Sequence, residues 1–212
     1  MDNLLSQIST NLQSGKSKIV AELVTKAIDQ GISPKDILEN GLLDGMSVIG
    51  EKFKNNEVFV PEVLVAARAM KKGAEILKPS LTAEGVKAKG TAIIGTVAGD
   101  LHDIGKNLVK MMMEGKGIEM IDLGADVSAE AFVDAAKKHN ASIIACSALL
   151  TTTMVEMKNV VELVKSSGLA DKITVMVGGA PITQAFCDSI GADCYTADAA
   201  SAADAALKIL SA

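Results

Sequence analysis

The fold is decided by the stretch TAIIGTVAGDLHDIGKNLV, residues 91–109. Its first part, 91–97, is a short run of apolar and β-branched residues of the kind that forms a buried strand. A polar loop follows, and from Gly105 onward the apolar side chains recur at helical spacing. A strand that leads through a loop into a helix is the first half of a βα crossover, which joins parallel strands.

The same alternation continues to the end of the chain. It predicts an α/β fold, a flavodoxin-like (Rossmann-like) five-stranded parallel sheet with helices on both faces. In such sheets ligands bind beyond the carboxyl ends of the strands, so chemistry is expected in the loops at that edge. The predicted strands are 91–97, 118–123, 142–147, 173–177 and 193–195, and the predicted helices are 105–115, 129–139, 152–167, 182–190 and 199–211.

Residues 1–79 differ from the rest because they show helical spacing and almost nothing strand-like. Apolar residues recur in four segments, which predicts a four-helix bundle. Ser33 is a candidate N-cap with Pro34 as the first helical residue. Pro61 opens the last of these helices, and Pro79 is expected to follow its end.

A polar stretch without periodicity, 80–89, separates the two halves. It is expected to be a linker between domains. The predicted domains are therefore a helical bundle domain with its linker, residues 1–89, and an α/β domain, residues 90–212.

Composition excludes several classes of function. The net charge of −5 argues against a nucleic-acid surface, which needs clustered basic residues. Cys146, Cys187 and Cys194 form no CxxC pair, and an odd number of cysteines without an export signal is typical of reduced thiols in the cytoplasm. No apolar run is long enough to span a bilayer. The chain is therefore expected to be cytoplasmic and to bind neither nucleic acid nor a membrane.

The loop after the first strand is the main candidate site. Phosphate-binding loops occupy this position, but the loop contains neither GxGxxG nor GxxxxGK[ST], so a nucleotide site is not expected. It carries His102, two residues after Asp100. A metal-bound imidazole commonly donates its second ring N–H to a carboxylate, which makes Asp100 a candidate partner. Asp103 is an alternative partner, or simply an acidic residue favoured near a helix N-terminus.

One candidate histidine restricts the kind of metal. The second histidine of the chain, His139, is predicted at a helix C-terminus, where a cation suits the helix dipole. A single protein ligand is too few for an ordinary zinc site. A metal that arrives already chelated by a tetrapyrrole needs only one or two ligands from the protein. The pattern alone fits a lone loop histidine equally well.

Two further loops fall at the same edge of the predicted sheet. The loop after the third strand carries Ser147 and three consecutive threonines, 151–153, one of which is expected to cap the following helix. The loop after the fourth strand carries Gly178 and Gly179 followed by Pro181. These glycines form a turn before a helix or leave room for a ligand against the backbone. Three such loops suit a large cofactor with an extended tail.

Taken together, the segments Asp100-x-His102-x-x-Gly105, Ser147-x-Leu149-x-Thr151 and Gly178-Gly179 resemble the three-part signature of cobalamin-binding domains. The helical half, with the segment 59–63 and the following residues to Met70, resembles the cap bundle that precedes this domain in methionine synthase. The lengths and the order resemble the free-standing corrinoid proteins of methylamine, methanol and methoxyaromatic methyltransferase systems. The resemblance covers essentially the whole chain.

The resemblance implies a role for each matching residue. His102 is the lower axial ligand of cobalt, and Asp100 bonds its distal nitrogen. Thr153 stands where the family usually has the serine that completes this relay. Ser147 and Thr151 contact the cofactor tail, and Gly105, Gly178 and Gly179 give the tail room. Phe59 and Met70 cover the upper corrin face or are plain bundle core. The full implied cofactor site is Asp100, His102, Asp103, Ile104, Gly105, Ser147, Leu149, Thr151, Thr153, Gly178, Gly179, Phe59 and Met70.

The resemblance also implies the function and the partners. The cofactor is cobalamin or a related corrinoid. The protein accepts a methyl group on cobalt from a substrate-specific methyltransferase and donates it to a second methyltransferase, which acts on tetrahydrofolate or coenzyme M. A reductive activase is a further implied partner, and the chain is not expected to be catalytic alone. A cobalamin-binding mutase subunit or a B12-dependent regulator is the alternative. A signalling receiver domain is a distant third hypothesis.

Overall fold

The computed structural model of the chain describes residues 2–85 and 87–211. The chain divides into two compact units, residues 1–88 with 115–117 and residues 89–114 with 118–212. The first unit is helical and the second is α/β. No helix among the described residues combines the length and the apolar character needed to cross a membrane.

Within the described residues the helical unit contains five α-helices, so the predicted count of four is not reproduced as such. Its helices are α1 (Asp2–Gln13), α2 (Ser17–Asp29), α3 (Pro34–Ile37), α4 (Asp44–Lys54) and α5 (Val60–Ala83). Ser33 caps α3 by accepting a hydrogen bond from the Asp36 N–H, and Pro34 is the first helical residue. The core of this unit includes Ile8, Leu12, Val20, Val24, Ile37, Leu42, Ile49, Val63 and Leu77.

A π-helix, Leu38–Leu43, joins α3 to α4 without a break. Gly41 of this π-helix and Gly45 at the start of α4 are explained by close packing on α1. A Cβ at Gly41 would lie 3.2 Å from the Ile8 side chain, and one at Gly45 would lie 3.0 Å from the Ser9 carbonyl oxygen. Glycine lowers helix propensity, but here it lets two helices approach each other closely.

Helix α5 is longer than predicted. It contains Pro79, so the prediction that this proline follows the helix end is wrong. Residues 80–83 of the predicted linker also belong to the helix, whereas Val86 lies outside the described residues. Pro79 removes a single helical hydrogen bond, the one to the Glu75 carbonyl, and the following turn closes with the Thr82 hydroxyl donating to the Lys78 carbonyl at 2.9 Å. One lost bond near the end of a long helix does not stop it.

The α/β unit contains the predicted parallel sheet. The strands are β1 (Thr91–Thr96), β2 (Glu119–Asp122), β3 (Ile143–Ser147), β4 (Thr174–Gly178) and β5 (Cys194–Tyr195), and the helices are α6 (Ile104–Glu114), α7 (Ala129–His139), α8 (Met154–Ser166), α9 (Gln184–Ile190) and α10 (Ala199–Leu210). All strand pairs are parallel, in the order β2-β1-β3-β4-β5. This is the flavodoxin-like order, and the fold prediction is confirmed.

One face of the sheet carries most of the core. Ile93, Ile144 and Val175 lie side by side on neighbouring strands. They belong to one buried cluster with Phe132 of α7 and Val160 of α8. Alternation along the strands turns the other set of side chains to the opposite face. Helix α6 packs there with α10. Both faces are covered, so the carboxyl edge of the sheet is left for function.

Candidate functional site

The site lies where the strand order of the sheet reverses. The chain leaves β1 toward β2 on one side, and it leaves β3 toward β4 on the other. The loops after β1 and β3 therefore diverge, which opens a crevice at the carboxyl edge. The last residues of three adjacent strands form a row there, since Thr96 pairs with Ser147 and Ser147 with Gly178. Two parts of the sequence signature begin in this row, at Ser147 and Gly178, and the third begins at Asp100 in the loop that follows Thr96.

His102 and Asp100 form the pair that the sequence predicts. His102 Nδ1 lies 2.8 Å from Asp100 Oδ1, and the same oxygen accepts the His102 backbone N–H at 3.0 Å. Asp100 is completely buried, whereas the His102 side chain is 53% exposed. The carboxylate thus holds the ring at Nδ1, and Nε2 has no hydrogen-bond partner within the described part of the chain. An imidazole held in this way offers its Nε2 lone pair to a metal.

The second oxygen of Asp100 ties the β1 loop to the β3 loop. Oδ2 accepts the backbone N–H groups of Leu149 at 2.7 Å and Leu150 at 3.1 Å, and the Thr153 hydroxyl at 2.9 Å. Thr153 Oγ1 also lies 2.9 Å from the Leu150 carbonyl oxygen. Thr153 is therefore linked to His102 through Asp100, and its role in a relay stays a prediction.

The expected capping role of these threonines is not seen at Thr153. This residue precedes α8, but its side chain makes no capping hydrogen bond to the helix. Its hydroxyl serves Asp100 instead. Thr151 and Thr152 are exposed in the same loop.

The hydrogen bonds around Asp100 keep it ionised. Burial by itself would raise the pKa of this carboxyl, because the interior disfavours the charged form. The hydrogen bonds from His102, Leu149 and Leu150 outweigh burial and hold the pKa of Asp100 well below its ordinary value. At neutral pH the carboxylate of Asp100 therefore presents a negative charge to Nδ1 of His102.

Large apolar side chains are exposed around His102. Leu101 is 75% exposed and Ile104 77% exposed on the β1 loop and the first turn of α6. Leu149 and Leu150 are also exposed on the β3 loop, next to the backbone groups that hold Asp100. Large exposed apolar side chains near a polar group are typical of a ligand-binding surface.

Two glycines at this edge have no explanation within the protein. Gly105 and Gly178 lack the positive φ that explains many glycines of the chain. A Cβ at Gly105 would meet nothing within 4 Å, and one at Gly178 would meet only the Thr196 carbonyl oxygen at 3.9 Å. The backbone conformation at these two positions does not require glycine, and the space beside them is open. Both observations fit a ligand that lies against the backbone there.

These features suit a tetrapyrrole metal better than a metal bound by protein alone. No group of three or more His, Cys, Asp or Glu side chains that could hold a metal occurs among residues 2–85 and 87–211. A single imidazole with a free Nε2, an apolar surround and open glycine positions match a chelated metal that carries a flat apolar ring and a long tail. The donor set therefore fits the corrinoid that the sequence motif implies.

The remaining predicted site residues differ in their contacts within the protein. Gly179 has φ +134°, and a Cβ there would overlap the Ala148 carbonyl oxygen, so the protein itself requires this glycine. Ser147 ends β3, and no hydrogen bond from its hydroxyl occurs within the described residues. Asp103 does not contact the imidazole. It accepts hydrogen bonds from the backbone and the side chain of Asn107 at the start of α6, which is the helix-terminus alternative.

Phe59 and Met70 belong to the helical unit. Phe59 precedes α5 and is 64% exposed, and its backbone N–H donates to the Glu62 carboxylate at 3.1 Å. Met70 is buried. That these two residues cover the corrin remains a prediction.

Several residues that shape the site were missed by sequence reasoning. Thr96 is fully buried, and its hydroxyl donates to the His102 carbonyl at 2.9 Å. Asp126 accepts the Gly99 N–H at 2.7 Å and donates its own N–H to the Asp100 carbonyl at 3.0 Å. Leu101 and Leu150 complete the apolar surround. Of these residues, only the two leucines could have been found from the sequence, because they are apolar residues in otherwise polar loops.

The sequence and the fold match known proteins along the whole chain. Two family models, each described as a B12 binding domain, match residues 90–208 and 4–78. The chain is 42% identical to a corrinoid protein of Desulfitobacterium hafniense (strain Y51), over 98% of each chain. It is 43% identical to a dimethylamine corrinoid protein of Methanosarcina barkeri, over 99% of this chain and 98% of that protein.

A solved structure agrees with these matches. The structure of the methanol:cobalamin methyltransferase complex MtaBC from Methanosarcina barkeri matches with a TM-score of 0.89 and 32% identity, over 100% of this chain and 81% of the other. The cofactor of the present protein is accordingly a corrinoid. The chain belongs to the family of B12-binding corrinoid proteins.

Proposed function

We propose that this protein carries methyl groups between two enzymes. It accepts a methyl group from a substrate-specific methyltransferase and passes it to a second methyltransferase that acts on tetrahydrofolate or coenzyme M. Relatives named as dimethylamine and trimethylamine corrinoid proteins, and a structural neighbour from a methanol:cobalamin methyltransferase complex, support this proposal. When bound, the corrinoid supplies the cobalt centre that carries the methyl group.

The observation that carries the proposal is an exposed imidazole held by a buried carboxylate at the switch point of the sheet. Nε2 of His102 would hold the cobalt of the corrinoid. Asp100 fixes the ring through Nδ1, and Thr153 and the Leu149 and Leu150 amides fix Asp100. Such outer partners orient a ligand and raise its basicity.

The same contacts decide where a proton goes. Hydrogen bonds hold the pKa of Asp100 below its ordinary value, so its carboxylate can accept the Nδ1–H of His102. With the ring proton held at Nδ1, Nε2 would keep its lone pair for the metal.

The rest of the predicted site would receive the ring and the tail. Ile104 and Leu149 would contact the corrin ring through the apolar surround. Ser147 and Thr151 would contact the tail, and Gly105 and Gly178 would leave space for it. We further propose that Phe59 and Met70 of the helical unit cover the upper corrin face. A reductive activase would complete the set of partners.

Replacement of His102 tests the axial ligand directly. Wild-type protein labelled with nitrogen-15 histidine is reconstituted with hydroxocobalamin and reduced by one electron. Its EPR spectrum is expected to show the superhyperfine pattern of a nitrogen-15 axial ligand. His102→Ala is expected to lose this pattern, because no other described histidine lies at the site.

His139→Ala is the matched control, since His139 is the exposed last residue of α7. It should keep the wild-type pattern. A His102→Ala spectrum that still shows a nitrogen-15 ligand would contradict the assignment. The carrier role is checked on wild-type holoprotein that has been reduced further, to Co(I), with a chemical reductant such as titanium(III) citrate. This protein should become methylated when a partner methyltransferase and methylamine or methanol are supplied. Absence of methylation with every such donor would count against it.

A further inference from the structure

Lys106 is a buried cation close to the proposed axial ligand. It lies in the first turn of α6, four residues after His102, and its side chain is only 2% exposed. Nζ donates to Asp122 Oδ1 at 2.6 Å and to Asn107 Oδ1 at 2.7 Å. An ammonium group is costly to bury unless it is paired, so this arrangement is held by specific contacts.

Asp122 gathers these contacts at the end of β2. Its Oδ1 also accepts the Gly124 N–H at 2.9 Å, and its Oδ2 accepts Lys110 Nζ at 3.2 Å. Burial would raise the pKa of Asp122, but the bonds from Lys106, Gly124 and Lys110 lower it below its ordinary value. The ionised carboxylate thus anchors the loop that follows β2 to the start of α6.

That loop, residues 123–127, is hydrogen-bonded to the backbone of the segment that carries His102. The Gly124 carbonyl accepts the Thr96 N–H at 2.9 Å, and the Thr96 hydroxyl donates to the His102 carbonyl at 2.9 Å. Asp126 bonds the backbone of Gly99 and Asp100. A closed circuit of hydrogen bonds therefore runs from α6 through Asp122 and the 123–127 loop to the His102 segment, which leads back into α6.

The circuit matters because His102 has little else to hold it. Its side chain is half exposed, and Asp100 is its one described side-chain partner. The direction of Nε2 thus depends on the backbone of residues 99–102. We propose that Lys106 is a positioning residue for His102, acting through Asp122 and the 123–127 loop. The inference rests on the proposed function, in which Nε2 of His102 binds cobalt.

Lys106→Met tests this role, because methionine keeps the length of the side chain and removes its charge. The first readout needs no corrinoid. It is the nitrogen-15 NMR spectrum of the imidazoles at mildly alkaline pH, which reports the tautomer of each ring. The spectrum is simple because the chain has two histidines. Wild-type His102 is expected as the Nδ1–H tautomer, and Lys106→Met is expected to shift it toward the tautomer mixture of free imidazole.

The second readout is the reconstituted protein. Lys106→Met is expected to bind hydroxocobalamin about tenfold more weakly and to show a smaller histidine-ligated fraction in the Co(II) EPR spectrum, as is usual when a partner beyond the ligand itself is lost. Lys165→Met is the matched control. Lys165 Nζ donates to the Gly191 carbonyl at 2.9 Å at the C-terminal end of α8, which is the opposite edge of the sheet. It should leave both readouts at the wild-type values.

The outcomes separate the two proposals. If Lys106→Met folds and keeps the wild-type tautomer and ligation, the positioning role is overturned while the axial role of His102 stands. If wild-type protein binds no hydroxocobalamin, the proposed function fails, and the NMR comparison still decides the role of Lys106 in holding the imidazole. Should Lys106→Met not fold, Asp122→Asn replaces it, because this variant keeps an oxygen acceptor for Lys106 but not the charge. An unchanged tautomer in that variant would overturn the proposal equally.

Discussion

At the scale of single residues, Asp100 does more than the sequence motif suggests. The spacing to His102 predicts one hydrogen bond, to Nδ1, and the structure contains it. The other oxygen binds two amides and a hydroxyl from a loop about fifty residues later. Asp100 is therefore both the partner of the imidazole and the group that joins the β1 and β3 loops.

Asp100→Asn should show this double role in the pH dependence of stability. At neutral pH we expect a loss of about 1–3 kcal/mol in unfolding free energy, because the donors from Leu149, Leu150 and Thr153 lose a charged acceptor. The pKa of Asp100 is lowered in the folded protein, so its contribution is complete above the unfolded value of about 3.9 and is lost as the pH falls toward the folded-state pKa. The stability gap between wild type and variant should thus narrow on acidification.

Urea unfolding at neutral pH and at several pH values below about 4 measures this gap. Asp103→Asn is the control, since within the described residues Asp103 accepts hydrogen bonds from Asn107 alone, at an exposed helix end. A gap between wild type and Asp100→Asn that stays constant over the whole pH range would contradict the prediction.

At the scale of elements, most helices and strands agree with the periodicity of the sequence to within a few residues. The exception is α5, which continues through Pro79 although a proline at that position predicts the end of the helix. Periodicity and caps are local signals, and a proline in the final turns removes only one hydrogen bond. Local signals also could not separate the glycines that shape backbone from those that leave space. Gly179 belongs to the first kind and Gly105 to the second.

Gly105→Ala should therefore separate stability from binding. Gly105 is the second residue of α6, and a Cβ there meets no protein atom within 4 Å. Alanine is the better helix former, so the corrinoid-free protein should unfold at the same temperature or be more stable by up to about 1 kcal/mol. Affinity for hydroxocobalamin should fall about tenfold if the tail passes this position.

Thermal unfolding and a hydroxocobalamin titration check the two parts of this prediction. Gly179→Ala is the contrasting variant, because its Cβ would overlap the Ala148 carbonyl oxygen and its φ is +134°. That variant should lose stability even without corrinoid. Undiminished affinity in Gly105→Ala would show that nothing lies against Gly105.

At the scale of the whole molecule, the chain combines a helical unit with an α/β unit that holds the Asp100–His102 pair. The composition change near residue 90 indicates this division, and the two family matches fall on either side of it. We predict that Phe59 and Met70 of the helical unit cover the corrin. Phe59 is the better probe, because Met70 is buried and its truncation would cost about 2–5 kcal/mol by itself.

Phe59→Ala in the full chain should leave stability within about 0.5 kcal/mol of wild type, since the side chain is mostly exposed. If Phe59 covers the corrin, affinity for hydroxocobalamin should fall about tenfold through lost apolar contact. Ile19→Ala, a partly exposed residue of α2, is the matched control and should bind as wild type. Equal affinities of the Phe59 and Ile19 variants would argue against a cap role for Phe59.

The sequence by itself determined the order of the elements, the α/β class and the histidine at a strand end, because periodicity and short spacings express them directly. Only the tertiary structure decided which groups hold Asp100, why Lys106 is buried and which glycines are open. Pairing of β1 with β3 brings Leu149 to Asp100 across 49 residues of chain. No local pattern encodes such a contact, since it arises only when the strands lie side by side.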